Sequence, residues 1–166
     1  MTDSAQPERA RAFAELKHGG QQYSGAPYVE HLDDVARLVA AFGLEAQTVA
    51  YLHDILEDTA TTADEVSREF GQYVADCVAL LSDEKDASRL ERKRQAHARL
   101  ADAPSRLELA LIVKAADRLA NLRASAGEGR ESLLRMYCGE HEAFREAVYR
   151  PGLCDGLWEE MEEIVS

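Results

Sequence analysis

The chain has too few cysteines to staple a fold. Cys77, Cys138 and Cys154 are odd in number and far apart. That excludes a disulfide framework and a cysteine-rich zinc site, so they read as buried or incidental thiols. No apolar run approaches the ~18 residues of a membrane span. The opening residues, Met1 to Glu8, lack the apolar stretch of a signal peptide, so the expected compartment is the cytoplasm, with no membrane partner. Basic residues are also scarce: 19 Lys and Arg stand against 31 Asp and Glu, for a net charge of −12. This is the reverse of the basic footprint of a protein that binds a nucleic-acid polymer. An anionic small substrate stays open, but only through a local metal and a local basic cluster. Internal repeats, low-complexity linkers and paired strand patterns are missing too.

What remains is helix. The 166 residues, 46% hydrophobic and 30% charged, suit one domain, residues 1–166, with a real core. A first helix is expected from Glu8 to Lys17, with Pro7 near its start and Ala10, Phe13 and Leu16 as its apolar stripe. Gly19-Gly20 ends it, and Gln21 to Tyr28 reads as a loop. Further helices are expected over Val29–Phe42, Glu45–Leu56 and from Thr62, where Thr62 and Glu65 match a capping box. Tyr73–Leu81 alone has the look of a strand but lacks a partner strand, so it is assigned to helix. Ser82–Ser88 is a charged loop and Arg89–Ala101 a basic helix. Ser105–Arg123 is a long helix, followed by a loop over Ala124–Gly129. Helices over Glu131–Tyr149 and Asp155–Val165 flank Pro151-Gly152. The fold class is all-α, a bundle of about eight or nine helices. Trp158, Met161 and Ile164 fit a core or an interface equally well, and the oligomeric state is not legible.

The chemistry concentrates in His53-Asp54-Ile55-Leu56-Glu57-Asp58. On one helix, His53 and Glu57, and Asp54 and Asp58, fall one turn apart. Burying four such groups without a partner or metal costs several kcal/mol. His31, His53, Asp54 and Asp117 together offer two imidazoles and two carboxylates, a set that suits Mn²⁺, Fe²⁺ or Zn²⁺. Taken singly, His31 fits a capping or hydrogen-bonded histidine, and Asp117 an ion-pair partner of Lys114 or Arg118. Glu57 and Asp58, one turn from a metal, can orient or deprotonate water. Lys85, Arg92, Lys93 and Arg94 form the densest basic cluster. They fit either a pyrophosphate site or a solvated helix face. His18, His97 and His141 fit no motif and read as surface or packing residues.

Four segments carry a resemblance: Tyr28-Val29-Glu30-His31, His53 to Thr59, Glu69-Phe70-Gly71, and Lys114 to Arg123. Together they resemble the HD-domain hydrolase module of the RelA/SpoT family, from about Phe13 to Arg123. The length is similar to that of the small alarmone hydrolases. The resemblance implies an HD-type helical bundle and a Mn²⁺-dependent pyrophosphohydrolase. It further implies that His31, His53, Asp54 and Asp117 bind the metal while Glu57 and Asp58 handle the nucleophilic water. The implied reaction removes the 3′-pyrophosphate from guanosine tetra- or pentaphosphate. Asn121 matches a residue near the nucleotide sugar, and Tyr137 matches a pocket tyrosine or a core residue.

The loop departs from the family, which usually carries an arginine or Arg-Lys before Gly-x-Pro-Tyr. Here Tyr23 stands about there, followed by Ser24, and an aromatic ring can stack on a base. Ala124 stands where a threonine is often found. The alternatives are an HD-type phosphohydrolase acting on an adenine alarmone, NADPH or similar, and a non-catalytic nucleotide-sensing domain.

Overall fold

The computed structural model describes residues 3–85, 88–127 and 129–166. Asp86 and Ala87 of the expected charged loop, and Glu128 of the expected 124–129 loop, lie outside that set, as do Met1 and Thr2. Ten α-helical segments occur among the described residues, one of them a single turn. They are α1 (Gln6–His18), α2 (Tyr28–Leu38), α3 (Leu44–Leu52), α4 (Ile55–Asp58), α5 (Ala63–Phe70), α6 (Gln72–Leu80), α7 (Arg89–Ala101), α8 (Glu108–Gly127), α9 (Glu131–Val148) and α10 (Asp155–Val165). None is long and apolar enough to cross a membrane.

The central element is α8. Ala110, Leu111, Ile112, Val113, Ala115, Ala116, Leu119, Ala120 and Leu122 are all buried along it. A helix apolar nearly all round needs neighbours on every side. Helices α2, α3, α6, α9 and α10 pack against it. Trp158 and Met161 of α10 are buried in this core and Ile164 packs against it, so these residues are core. All three cysteines are free thiols, Cys77 and Cys154 buried.

Local chemistry explains the starts of α5 and α7, which Thr62 and Ser88 cap. Thr62 caps α5 by accepting the Glu65 backbone N–H at 3.2 Å, as its sequence pattern predicts. The Glu65 carboxylate pairs with Lys17 of α1 at 2.9 Å, tying two helices together.

Five expectations need correction. First, helix 45–56 is not continuous. The His53 ring Nδ1 lies 2.7 Å from the Ala50 carbonyl oxygen, where the next helical N–H would bond, and Asp54 leaves the helix at φ −103°, ψ 2°. A separate turn, α4, then closes through Asp58 N–H to Asp54 O at 3.0 Å and Thr59 N–H to Ile55 O at 3.2 Å. Second, α8 continues to Gly127, through residues expected in a loop, because Ser125 is buried on the packed face and bonds the Asn121 carbonyl at 2.8 Å. Third, the helix from Tyr28 ends at Leu38 and a 3₁₀ turn follows over Ala40–Phe42, which leaves Phe42 at the surface. Fourth, Leu16 is 77% exposed, since α1 buries Ala10, Ala14 and His18 instead.

Fifth, a strand pair does exist. Gln22–Tyr23 (β1) pairs antiparallel with Ala26–Pro27 (β2). The two-residue turn between them, Ser24-Gly25, has positive φ at both positions (53° and 81°), as the tight primed turns require. Strands of two residues are too short to leave a period-2 pattern.

Candidate active site

Three elements deliver the proposed ligands. His31 comes from the first turns of α2, His53 and Asp54 from the break between α3 and α4, and Asp117 from the middle of α8. The break sets the geometry, because His53 points its ring back at the Ala50 carbonyl and turns Nε2 inward. Binding one ring nitrogen to a carbonyl fixes which nitrogen is left for a ligand. His53 Nε2 lies 3.1 Å from Asp54 Oδ2 and 3.4 Å from Asp117 Oδ1. That same Asp117 oxygen lies 3.0 Å from His31 Nε2. Ligand atoms of His31, His53 and Asp54 all fall within 4.8 Å of one another.

The electrostatics ask for a cation. His31 and His53 are buried, and His53 Nε2 sits between the Asp54 and Asp117 oxygens without a well-aligned hydrogen bond to either. Burial opposes the charged form of His53, but the carboxylates of Asp54 and Asp117 outweigh it and hold its pKa well above the ordinary value. Burial likewise works against ionised Asp117, and the two imidazoles overcome it, pulling that carboxyl well below the usual range. Two carboxylates and two imidazoles thus share a buried point that requires positive charge, and the mixed N/O set fits a divalent ion. Tyr28 braces the cluster: its hydroxyl donates to Asp54 Oδ2, and burial together with the Asp54 charge keeps it protonated by raising its pKa.

Glu57 and Asp58 stand on α4, next to this point. Partial burial raises the Glu57 pKa, against the backbone N–H of Asp83, which donates to Glu57 Oε1 at 2.6 Å. Asp58 lies at the exposed rim and accepts from the Gln21 amide at 2.9 Å.

Opposite them is a basic wall. A cleft of about 200 Å³ is lined by the acids Asp54, Glu57 and Asp83 together with the bases Arg89, Arg92, Lys93 and Lys114. A neighbouring recess of about 170 Å³ brings Lys85 and Arg92 to Glu57 and Asp58. Lys93 is crowded: burial, then the charges of Lys114 and Arg118, push its ammonium down to about 8. Arg94 departs from this set, since it faces out and pairs with Glu91 on its own helix. A wider concavity, about 680 Å³ between α7 and α9, shares Arg89 and Lys93 with the cleft.

The β1–β2 ribbon lies against the His31 and Asp117 side of this cluster. Tyr23 stacks on His31 with ring centroids 4.4 Å apart, and its hydroxyl donates to Asn121 Oδ1 at 2.6 Å. Asn121 sits one turn beyond Asp117, its amide nitrogen 3.4 Å from Asp117 Oδ1. Ser24 lies at the exposed tip of the ribbon. Tyr137 lies elsewhere: its ring packs under the Arg118 guanidinium at 4.8 Å. Arg118 is no partner of Asp117. It is buried and pairs with Glu140 of α9 at 3.1 Å. His18 and His141 are buried, bonded to Gln21 and Glu162 respectively.

Sequence reasoning missed Tyr28, Gln21, Arg89 and Lys114. Lys114 is three residues before Asp117, so a shared helix face pointed to it. Arg89 is one turn before Lys93 on the same helix. Gln21 carries no local signal, because its partner is 37 residues away.

Comparison with known proteins gives the family and the fold. Residues 10–137 match the HD domain family. The mouse guanosine-3′,5′-bis(diphosphate) 3′-pyrophosphohydrolase MESH1 is 39% identical over 129 residues, covering 74% of this chain and 70% of that protein. The human MESH1 is 38% identical over the same length, with the same coverage. A solved structure of a metazoan ortholog of SpoT that hydrolyzes ppGpp shares the fold. Its TM-score is 0.73 at 24% identity, over 98% of this chain and 97% of that one. Matched along most of its length and folded alike, this chain belongs to the HD-domain family, among its RelA/SpoT homologues.

Proposed function

We propose that this chain, acting as one domain over residues 1–166, is a Mn²⁺-dependent pyrophosphohydrolase. Its substrate is guanosine tetra- or pentaphosphate, and the products are pyrophosphate and GDP or GTP. The observation that carries this reading is a juxtaposition: the cluster of His31, His53, Asp54 and Asp117 adjoins a cleft in which Asp54 and Glu57 meet Arg89, Arg92, Lys93 and Lys114, and Asp58 meets Lys85 and Arg92 in the neighbouring recess. The activity named for the MESH1 relatives supports it.

His31, His53, Asp54 and Asp117 hold the metal, with Fe²⁺ and Zn²⁺ as other ions the set accepts. When bound, the ion supplies Lewis acidity toward a phosphoryl oxygen and toward water. Glu57 and Asp58 orient that water and take its proton. The water oxygen bonds to the phosphorus attached to the ribose 3′-oxygen. The bond between that phosphorus and the 3′-oxygen breaks, and the 3′-oxygen receives a proton. Arg92, Lys93 and Lys85 neutralise the departing pyrophosphate. Asn121 and the ribbon residues Tyr23 and Ser24 hold the nucleoside, with Tyr137 further back on α9. The pair Glu57 and Asp58, beside the ligands and facing cations, weighs against a purely sensing role.

A second reading keeps the chemistry and changes the nucleotide. Tyr23, stacked on His31 and bonded to Asn121, replaces a family cation with a ring indifferent to base identity. An adenine alarmone or NADPH then becomes a substrate. Purified protein with Mn²⁺ is tested on guanosine tetraphosphate, its adenine analogue and NADPH, with product identification. Pyrophosphate from the guanosine substrate supports the first reading. Turnover of only the others supports the second, and no turnover of any by folded, metal-loaded protein refutes both.

A further inference from the structure

Two polar side chains stand behind the acidic pair and belong to none of the sets above. His18, in the last turn of α1, is 7% exposed, and its ring lies 4.8 Å from that of Tyr28. Its Nδ1 is 2.9 Å from Gln21 Oε1. The Gln21 Nε2 in turn donates to Asp58 Oδ2 at 2.9 Å. Residue 21 is itself anchored by its main chain: its N–H donates to the His18 carbonyl at 3.1 Å, and its own carbonyl accepts from Tyr28 N–H at 3.0 Å.

The direction of this chain follows from the groups themselves. An ionised carboxylate only accepts, so the amide of Gln21 must face Asp58 with its NH₂. Its carbonyl oxygen then faces His18, and the His18 proton must sit on Nδ1. The other ring nitrogen, Nε2, is left buried without a partner. Leaving a buried nitrogen unpaired costs stability. Asp58 needs a fixed support because α4 is only four residues long and Asp58 is exposed at the rim.

We propose that Gln21 is a positioning residue for the Asp58 carboxylate, and that His18 holds the Gln21 amide in the one orientation that donates to it. Gln21 fixes one carboxylate oxygen and leaves the other for water. Tyr28 does the same for Asp54 from the same side. Residues 21 and 28, which flank the ribbon, thus brace Asp58 and Asp54, with His18 at the end of α1 behind the first. This inference rests on Asp58 acting as proposed above.

The test compares Gln21→Leu, His18→Phe, the double variant and Gln21→Lys, which returns a donor to Asp58 without needing His18. Turnover of guanosine tetraphosphate with Mn²⁺ is measured alongside the thermal shift produced by Mn²⁺ alone. Gln21→Leu is expected to lower kcat about tenfold, with KM and the Mn²⁺ shift within about twofold of wild type. His18→Phe keeps a ring against Tyr28 and lowers kcat by about three- to fivefold, and the double variant is no worse than Gln21→Leu, because both act through one carboxylate. Gln21→Lys recovers most of the loss. Unchanged kcat, a loss carried by KM or by Mn²⁺ binding, or losses that multiply in the double variant would overturn the proposal. Nitrogen NMR of the His18 ring gives a readout free of turnover: the proton is expected on Nδ1, with a signal that moves in Gln21→Leu. A proton on Nε2 alone overturns the relay even if every variant is active. A wild type inactive on every nucleotide is a failure of the functional reading, and the NMR result still decides the relay.

Discussion

Adding Mn²⁺ to metal-stripped protein should raise its unfolding temperature, because an ion held by the proposed ligands would tie together α2, α8 and the break between α3 and α4. A ligand at a hundred times its Kd stabilises the native state by about 2.7 kcal/mol. Unfolding entropy of about 2.1 cal/mol/K per residue over 166 residues gives roughly 0.35 kcal/mol/K. The expected shift is therefore about 8 °C. Asp117→Ala should abolish it, since Asp117 Oδ1 is the one oxygen approached by both imidazoles, at 3.0 and 3.4 Å. The increment should also grow with pH. The raised pKa of His53 means that stripped protein carries a proton there, which the metal must displace. His53 stabilises the stripped protein fully below its unfolded pKa of about 6.5, and that contribution is lost as pH rises through the higher folded value. Scanning calorimetry across pH, with and without Mn²⁺, reads both effects. An equal Mn²⁺ shift in wild type and Asp117→Ala would refute the four-ligand centre.

Four further outcomes follow from particular residues. Glu57→Gln should lower kcat by about 10²–10⁴-fold while keeping the Mn²⁺ thermal shift; near-normal turnover would remove Glu57 from proton transfer. Lys93, with its pKa pushed down to about 8, is charged below that pH and neutral above it. The KM for an anionic substrate should therefore climb above pH 8 in wild type and stay flatter in Lys93→Arg; identical profiles count against Lys93 as a phosphate contact. Glu140→Leu strands Arg118, whose side chain is 5% exposed, and should cost about 3–5 kcal/mol in urea unfolding; a loss under about 1 kcal/mol would show the pair to be dispensable. Leu16→Glu, at a position 77% exposed, should change stability by no more than about 0.5 kcal/mol, and a larger loss would place Leu16 against a partner.

Much of the fold was readable because long amphipathic helices repeat their signal over several turns. The helices α5, α7, α9 and α10 lie within a residue or two of their expected bounds, and Thr62 caps α5 as its pattern indicates. Short features were unreadable for the same reason. A two-residue strand has no period, and the 45–56 helix breaks where the His53 ring bonds the Ala50 carbonyl. Leu16 fits the stripe on α1, yet α1 turns its small residues, Ala10 and Ala14, to the core so that α2 and α3 can approach closely.

Helical class and the cast of chemical residues were determined by sequence alone. Periodicity needs only the chain, and a His-Asp pair followed by Glu-Asp stands out wherever it folds. Which of those groups meet was decided by tertiary structure. His31 and Asp117 are 86 residues apart and touch at 3.0 Å, while Arg118, adjacent to Asp117, turns the other way to Glu140. Neighbouring helix positions point about 100° apart, so only the packing of other helices around α8 could tell which side chain faces the cation and which faces the core.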